Sequence, residues 1–263
     1  MSGTLELYHW EPNGYFLKPL IALYEKGARF TSHWFDPTAL EQFAAGFPGN
    51  TESALHLERE GPLLVHGAMV ISSSFFMLEY IAEALPGPDL CAGGALEHYR
   101  SRASGQFLTG LGADVSLLGC ARYLAPVLRA RDQTALSSRL RAIEPQERRN
   151  SWLAFLDGTY TDEVLGKVRE RLRFPLGRVE EALGMRTWLA GPDYSIADID
   201  AFAMLRPLAR LAPELIGTAR TPRIVDFLQR MEARPAVRQA LALSRSGQPH
   251  EAFVPGAEPS RWG

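Results

Sequence analysis

The sequence predicts a small α/β domain with a mixed sheet, followed by an all-helical domain. Three observations carry that expectation. Over the first 85 residues, short strand-like and helix-like segments alternate. Beyond Pro88 the strand signals stop and apolar residues recur every three or four positions. The charge also changes sign near Pro86-Gly87-Pro88: residues 1–90 hold four basic and eleven acidic side chains, and the remainder holds 24 and 19. The expected division is an α/β domain over 1–86, a linker over 87–94, a helical domain over 95–245 and a tail over 246–263.

Within the first domain, Leu5 to His9 reads as a strand ending in a Pro12-Asn13-Gly14 turn. From Leu17 to Lys26, a helix places Leu17, Leu20, Ile21 and Tyr24 on one face, and Gly27 supplies the stop. Phe30 to Phe35 is a second strand, and Pro37 to Phe47 a short helix and loop. Thr51 to Gly61 is polar and carries no assigning pattern. Leu63 to His66 and Met69 to Ile71 form a hairpin about Gly67-Ala68. Ser72-Ser73-Ser74 then offers capping hydroxyls to an amphipathic helix over Phe75 to Leu85, closed by Pro86.

In the second domain, Phe107, Leu111, Val115, Leu118 and Arg122 share one helical stripe. Leu165, Val168, Leu172, Leu176, Val179 and Leu183 share another, where Pro175 is expected to kink the helix or shift its start. Ser195-Ile196-Ala197-Asp198 has capping-box spacing ahead of a helix over Ile199 to Leu211, with Tyr194 and Ile199 placed for a hydrophobic staple. Thr221 to Arg234 is the last periodic helix. The tail from Pro255 to Gly263 is too rich in Pro and Gly to be helical, and its Arg261-Trp262 end suggests that it docks.

Composition narrows the function classes. With 263 residues, 46% hydrophobic and 22% charged, the chain is neither disordered, collagenous nor a disulfide scaffold. A net charge of −2 argues against a nucleic-acid binder. Cys91 and Cys120 make no metal or redox motif, and no two of the six histidines lie three to five residues apart, so no metal site is expected. No leader is visible, and no apolar run approaches the ~18 residues of a membrane span. The expected setting is the reducing cytoplasm.

Four motifs in order give the chain a family resemblance: Gly61-Pro62 followed by Leu64, Gly67, Ile71 and Ser74; Glu79-Tyr80-Ile81; Tyr194-Ser195-Ile196-Ala197-Asp198; and Ala233-Arg234-Pro235-Ala236. Together they resemble the cytosolic glutathione S-transferases. The fold that this resemblance implies is a thioredoxin-like N-terminal domain with a four-stranded mixed sheet, then an all-helical C-terminal domain. A narrower block, Leu17-Lys18-Pro19-Leu20 with Leu23-Tyr24-Glu25-Lys26-Gly27 and Phe30, is similar to the bacterial β-etherases, glutathione S-transferases that cleave lignin β-aryl ethers.

The resemblance implies glutathione as co-substrate, held by Gly61, Pro62, Ser73 and Ser74. A cis bond before Pro62 would turn backbone toward the tripeptide, and Ser74 at a helix start would meet a carboxylate. Two departures stand out. Ser73 replaces the usual Glu or Asp, and losing that charge-assisted contact costs about 1.5–3 kcal/mol. Phe16 occupies the position where β-etherase-like members carry the thiol-activating Ser. The candidate substitutes are the Tyr15 phenol and the Asn13 amide, with Tyr15 equally suited to packing. His9, Trp10 and Trp34 are expected to pack, and Arg148-Arg149 to form a solvated face. Trp152, Phe155 and Tyr160 suit either a substrate pocket or the core.

Two functions follow from the resemblance. One is glutathione-dependent cleavage of a small aromatic β-aryl ether. The other is a catalytically degenerate subunit that stabilises an active paralogue. The partner implied is a second transferase subunit, as homodimer or heterodimer, with no nucleic acid and no membrane.

Overall fold

The computed structural model describes residues 3–44, 46–48, 61–91, 93–143 and 146–256. The unassigned polar stretch 51–60 and the Arg261-Trp262 end of the tail lie outside the described residues.

Strand β1 (Leu5–His9) pairs in parallel with β2 (Thr31–Trp34) and antiparallel with β3 (Leu63–His66), which pairs antiparallel with β4 (Met69–Ile71). The sheet order is β2-β1-β3-β4, the mixed four-stranded sheet expected of a thioredoxin-like domain. Alternation along β1 buries Leu5, Leu7 and His9, as a strand covered on one face requires. Helices α1 (Gly14–Glu25) and α2 (Ser74–Ala84) pack on one another, joined to the sheet core by Leu17, Leu20, Ile21, Met77 and Leu78.

Helix α1 opens three residues before the expected Leu17. The turn winds straight into it: Asn13 N–H donates to the Glu11 carbonyl at 2.7 Å, and Phe16 N–H to the Asn13 carbonyl at 3.1 Å. Gly27, at φ +62°, ends the helix as its sequence position suggests. The Pro37 to Phe47 stretch resolves into two 3₁₀ turns, Pro37–Ala39 and Glu41–Phe43, with Asp36 capping the first.

The second part is helical: α3 (Ala95–Gly119), a π-turn (Cys120–Leu124), α4 (Ala125–Arg129), α5 (Gln133–Arg141), α6 (Gln146–Leu156), α7 (Asp162–Met185), α8 (Ile196–Leu211), α9 (Pro222–Glu232) and α10 (Pro235–Leu241). Helix α7 runs through Pro175 and starts at a Thr161 cap. Its stripe of Val168, Leu172, Leu176 and Val179 is buried, and α7 packs on α3 and α9. That packing outweighs the one backbone hydrogen bond a proline removes. The α3–α4 run of 35 residues is long and apolar enough to cross a membrane, with a mean hydropathy of 1.3 over its best window. The sequence reading found no such run, yet 61% of that window is buried within the fold, so its apolarity serves packing.

Helix α8 is the hub, packing on α1, α2, α3 and α9. The capping box forms as expected: Ser195 N–H donates to Asp198 at 3.0 Å, and Ala197 N–H to the Ser195 hydroxyl at 3.3 Å. Asp198 also accepts from Leu189 N–H at 2.8 Å. Tyr194 packs edge-on against Trp188 and beneath the Arg234 guanidinium, which grips Glu25 of α1 at 2.6 and 3.0 Å.

The solvated face expected at Arg148-Arg149 is overturned. Arg148 is buried because α6 packs into α4 and α5, and Arg149 donates to the Arg141 and Ile143 carbonyls at the end of α5. Trp152 and Phe155 are core residues, and Tyr160 packs on Phe155.

Candidate functional site

One end of the sheet gathers the residues singled out by the sequence. In the β3–β4 ladder Leu64 faces Ile71, so the chain on either side brings Pro62 and Ser73 to the same level. In the β1–β3 ladder Tyr8 faces Leu63, which carries His9 and Trp10 to that end as well. Because β2 is parallel to β1, Trp34 and Phe35 arrive there too. Helix α1 starts four residues after Trp10 and α2 starts at Ser74, so both helices open at this edge.

Ser73 holds φ +64° and ψ 113°, a backbone conformation that costs a non-glycine residue about 1–3 kcal/mol. It occupies the N-cap position of α2 but makes no capping hydrogen bond. The capping hydroxyl that the Ser72-Ser73-Ser74 run offers at Ser73 therefore does not serve the helix in that way. Ser74 is the first helical residue and is buried, and Pro62 is buried beside half-buried Gly61. The strained turn, the uncapped helix start and the adjoining hydroxyls make a cradle of donors suited to a carboxylate.

The β1–α1 turn forms the facing wall. His9 is buried: one ring nitrogen, Nδ1, donates to the Trp10 carbonyl at 2.6 Å, and Nε2 accepts from the Ser32 hydroxyl at 2.6 Å. Burial lowers its pKa, so it is neutral in this tautomer and structural, as its packing assignment anticipates. Trp10 packs edge-on against Phe16, and Phe16 edge-on against Phe35. Phe16 is thus a core residue, 2% exposed, in the position where an activating hydroxyl was expected.

Asn13 is buried, and its amide Nδ2 donates to the Ala252 carbonyl at 3.0 Å, while its Oδ1 has no partner among the described residues. Tyr15 is half-buried. Its hydroxyl lies against α3 and the C-terminal segment, where a Cβ at Gly112 would stand 3.3 Å from it and one at Gly256 2.7 Å. Of the two candidate substitutes, Asn13 has one amide N–H committed to the fold and Tyr15 presents its phenol at the junction of the two domains.

Two features were missed by the sequence reading. Lys18, inside the apolar Leu17–Leu20 stretch of α1, forms a buried ion pair with Asp200 of α8 at 2.5 Å and lies 5.1 Å from the centre of the Tyr15 ring. Burial raises the Asp200 pKa and the Lys18 charge opposes that rise. A lone cation within an apolar run was the available signal. The second is Glu11, whose buried carboxylate is surrounded by donors from the C-terminal segment, a contact over more than 230 residues that no local pattern reports. Among the described residues, no three His, Cys, Asp or Glu side chains are grouped to hold a metal ion.

Residues 138–235 match the family described as glutathione S-transferase, C-terminal domain. Protein LigF of Sphingobium sp. strain SYK-6 is 26% identical over 249 residues, spanning 92% of this chain and 95% of that protein. The crystal structure of the beta-etherase LigF superposes with a TM-score of 0.83 at 25% identity, covering 92% of this chain and all of the other. A glutathione transferase from Pseudomonas putida, solved with glutathione disulfide bound, shares the fold at a TM-score of 0.68 and 20% identity, over 92% of each chain. With its mixed sheet, its helical second part and these likenesses, the chain has the fold of the glutathione S-transferases and is similar to the bacterial beta-etherase LigF.

Proposed function

We propose that the protein is a cytoplasmic glutathione-dependent β-etherase acting on small aromatic β-aryl ethers. What carries this reading is the strained, uncapped Ser73-Ser74 turn at the level of Pro62. Gly61 and Pro62 would offer backbone partners to the cysteinyl unit of glutathione, and Ser73 and Ser74 donors to its carboxylate. The glutathione thiolate attacks the carbon beside an aryl ketone. A C–S bond forms, the C–O bond breaks, and the phenolate leaves with the bonding pair and takes up a proton. Tyr15 and Asn13 are the proposed donors to the thiolate, because Phe16 is apolar and buried.

A second reading has its own support. Phe16 in the core and an uncharged Ser73 are two losses in one site, the pattern of a subunit that stabilises an active paralogue. A cleft of about 370 Å³ between α3 and α7 is lined by Tyr99, Phe107, Arg100, Arg178 and Arg186, and Phe76 and Leu96 are exposed on α2 and α3. Such an apolar and cationic face suits a protein partner, either a second copy or a paralogue.

Incubating the purified protein with glutathione and 2-phenoxyacetophenone separates the two. Release of phenol with formation of S-phenacylglutathione supports the enzyme. No turnover by the protein alone, with a gain in activity or stability of a co-expressed homologue, overturns the enzyme reading and supports the subunit.

A further inference from the structure

The second turn of α1 carries a charge where the helix is otherwise apolar. Lys18 sits between Leu17 and Pro19 and is 5% exposed. Its ammonium pairs at 2.5 Å with Asp200 of α8, which is 1% exposed. Desolvation offsets most of the attraction in such a pair, so the packing of α1 on α8 does not by itself call for charge at this position. What the pair does is fix an ammonium at one place inside the junction of the two domains.

The neighbour at that place is Tyr15. It stands three residues before Lys18 and shares its face of α1. The ammonium lies over its ring, 5.1 Å from the centre. A cation within about 6 Å of an aromatic centre is attracted by the ring electrons, and more strongly where water is excluded. Helix α8 closes the same region one turn beyond Asp200. A Cβ at Gly112 of α3 would lie 2.9 Å from the Met204 sulfur and 3.3 Å from the Tyr15 hydroxyl, so glycine there leaves room for both. Asp200, Lys18 and Tyr15 thus form a chain of contacts from the core of the helical domain to the start of α1.

Other charges on the elements around α1 have partners of their own or face solvent. Asp114 of α3 pairs with Arg171 of α7, and Glu79 of α2 with Arg102 of α3. Glu11 of the preceding turn accepts from Ser244, Arg245 and Ser246, and Glu25 pairs with Arg234. Asp198 of α8 is held by Leu189 and Ser195, Arg206 pairs with Glu232, and Arg238 of α10 and Glu83 of α2 are exposed.

When a phenol donates to a thiolate, its oxygen gains negative character. A positive charge over the ring stabilises that oxygen and strengthens the O–H as a donor. Tyr15 keeps its proton, and the thiol proton leaves to solvent.

We propose that Lys18 is a positioning residue of the transferase reaction: fixed by Asp200, its ammonium holds the Tyr15 ring and strengthens the phenol as donor to the glutathione thiolate. The thiolate rests on the transferase reading; the coupling of Lys18 to Tyr15 rests on the contacts alone.

Lys18→Met with Asp200→Leu removes both charges together, so no ion is stranded. Ring-carbon NMR of the full-length protein without glutathione follows the ionisation of Tyr15, assigned by its loss in Tyr15→Phe. In the double variant that ionisation moves to higher pH by about one unit. With glutathione bound, the ultraviolet absorbance of the thiolate also titrates about one unit higher, and kcat with 2-phenoxyacetophenone falls about tenfold at neutral pH and recovers in base. Affinity for S-methylglutathione, which has no thiol, is unchanged. In the Tyr15→Phe background the same two substitutions no longer move the thiolate titration. Lys18→Gln with Asp200→Asn, a neutral pair of similar size, serves if the first variant does not fold. An unmoved Tyr15 ionisation overturns the proposal, and so does a thiolate titration that moves equally in the Tyr15→Phe background. No thiolate absorbance from the natural sequence with glutathione refutes the transferase reading instead, a failure recognisable because the Tyr15 ionisation still moves.

Discussion

Replacing Lys18 by methionine removes one half of an ion pair that joins the two parts of the chain. The Lys18 and Asp200 side chains are 6% and 2% exposed, and their charged atoms stand 2.5 Å apart. At an effective dielectric constant of ~20 their attraction is about 7 kcal/mol. Desolvation of both ions offsets most of that, so the pair adds little over an apolar contact, and the loss comes from stranding the survivor. Lys18→Met should therefore destabilise by about 3–5 kcal/mol, and Lys18→Met with Asp200→Leu should recover most of it. The pH dependence follows from Asp200, whose pKa burial raises and Lys18 holds down. Without Lys18 it rises further. The deficit of the variant is then full at neutral pH and shrinks as pH falls toward the unfolded carboxyl value of about 3.9, where Asp200 is neutral in both proteins. Urea unfolding followed by circular dichroism at pH 7.5 and pH 5 measures both quantities. A deficit under about 1 kcal/mol at pH 7.5, or one that grows in acid, would refute the reasoning.

Other perturbations give separate outcomes. Phe16→Ser should cost about 3–5 kcal/mol by emptying the Trp10–Phe35 cluster, measured by thermal unfolding, and should not create activity because that side chain faces the core. Ser73→Gly should stabilise by about 1 kcal/mol by relieving the strained backbone, whereas Ser73→Glu should tighten glutathione roughly ten- to a hundredfold by calorimetry. Burial pushes the Asp198 pKa up to about 7 against the hydrogen bonds it accepts. This group therefore contributes stability fully below its unfolded value and loses it as pH rises through 7. Asp198→Asn, which does not ionise, should show a stability deficit that narrows between pH 5 and pH 8 in denaturant titrations.

The elements with local signals were legible from sequence. The Leu5 to His9 run before the Pro12-Asn13-Gly14 turn marked β1, the Gly67-Ala68 corner marked the hairpin, and the Ser195–Asp198 spacing marked the start of α8. Each depends on neighbours a few residues apart. Alignment on Leu17-Lys18-Pro19 gave the register of Phe16, but not that its ring joins Trp10 and Phe35, because that cluster brings together the turn, α1 and the end of β2. Arg148 was misread for a related reason. A charged pair looks solvated until α6 is packed between α4 and α5. The partners of Glu11 and Lys18 lie more than 180 residues away, and the positive φ of Ser73 has no signature in a Ser-Ser-Ser run. The site is thus legible where it follows the family's linear motifs and hidden where it depends on long-range closure.

Calorimetric titration of the full-length protein with glutathione addresses the central claim most directly. The account predicts saturable binding at one glutathione per chain, tightened by Ser73→Glu. No heat of binding at millimolar glutathione, for either the natural sequence or Ser73→Glu, would contradict it.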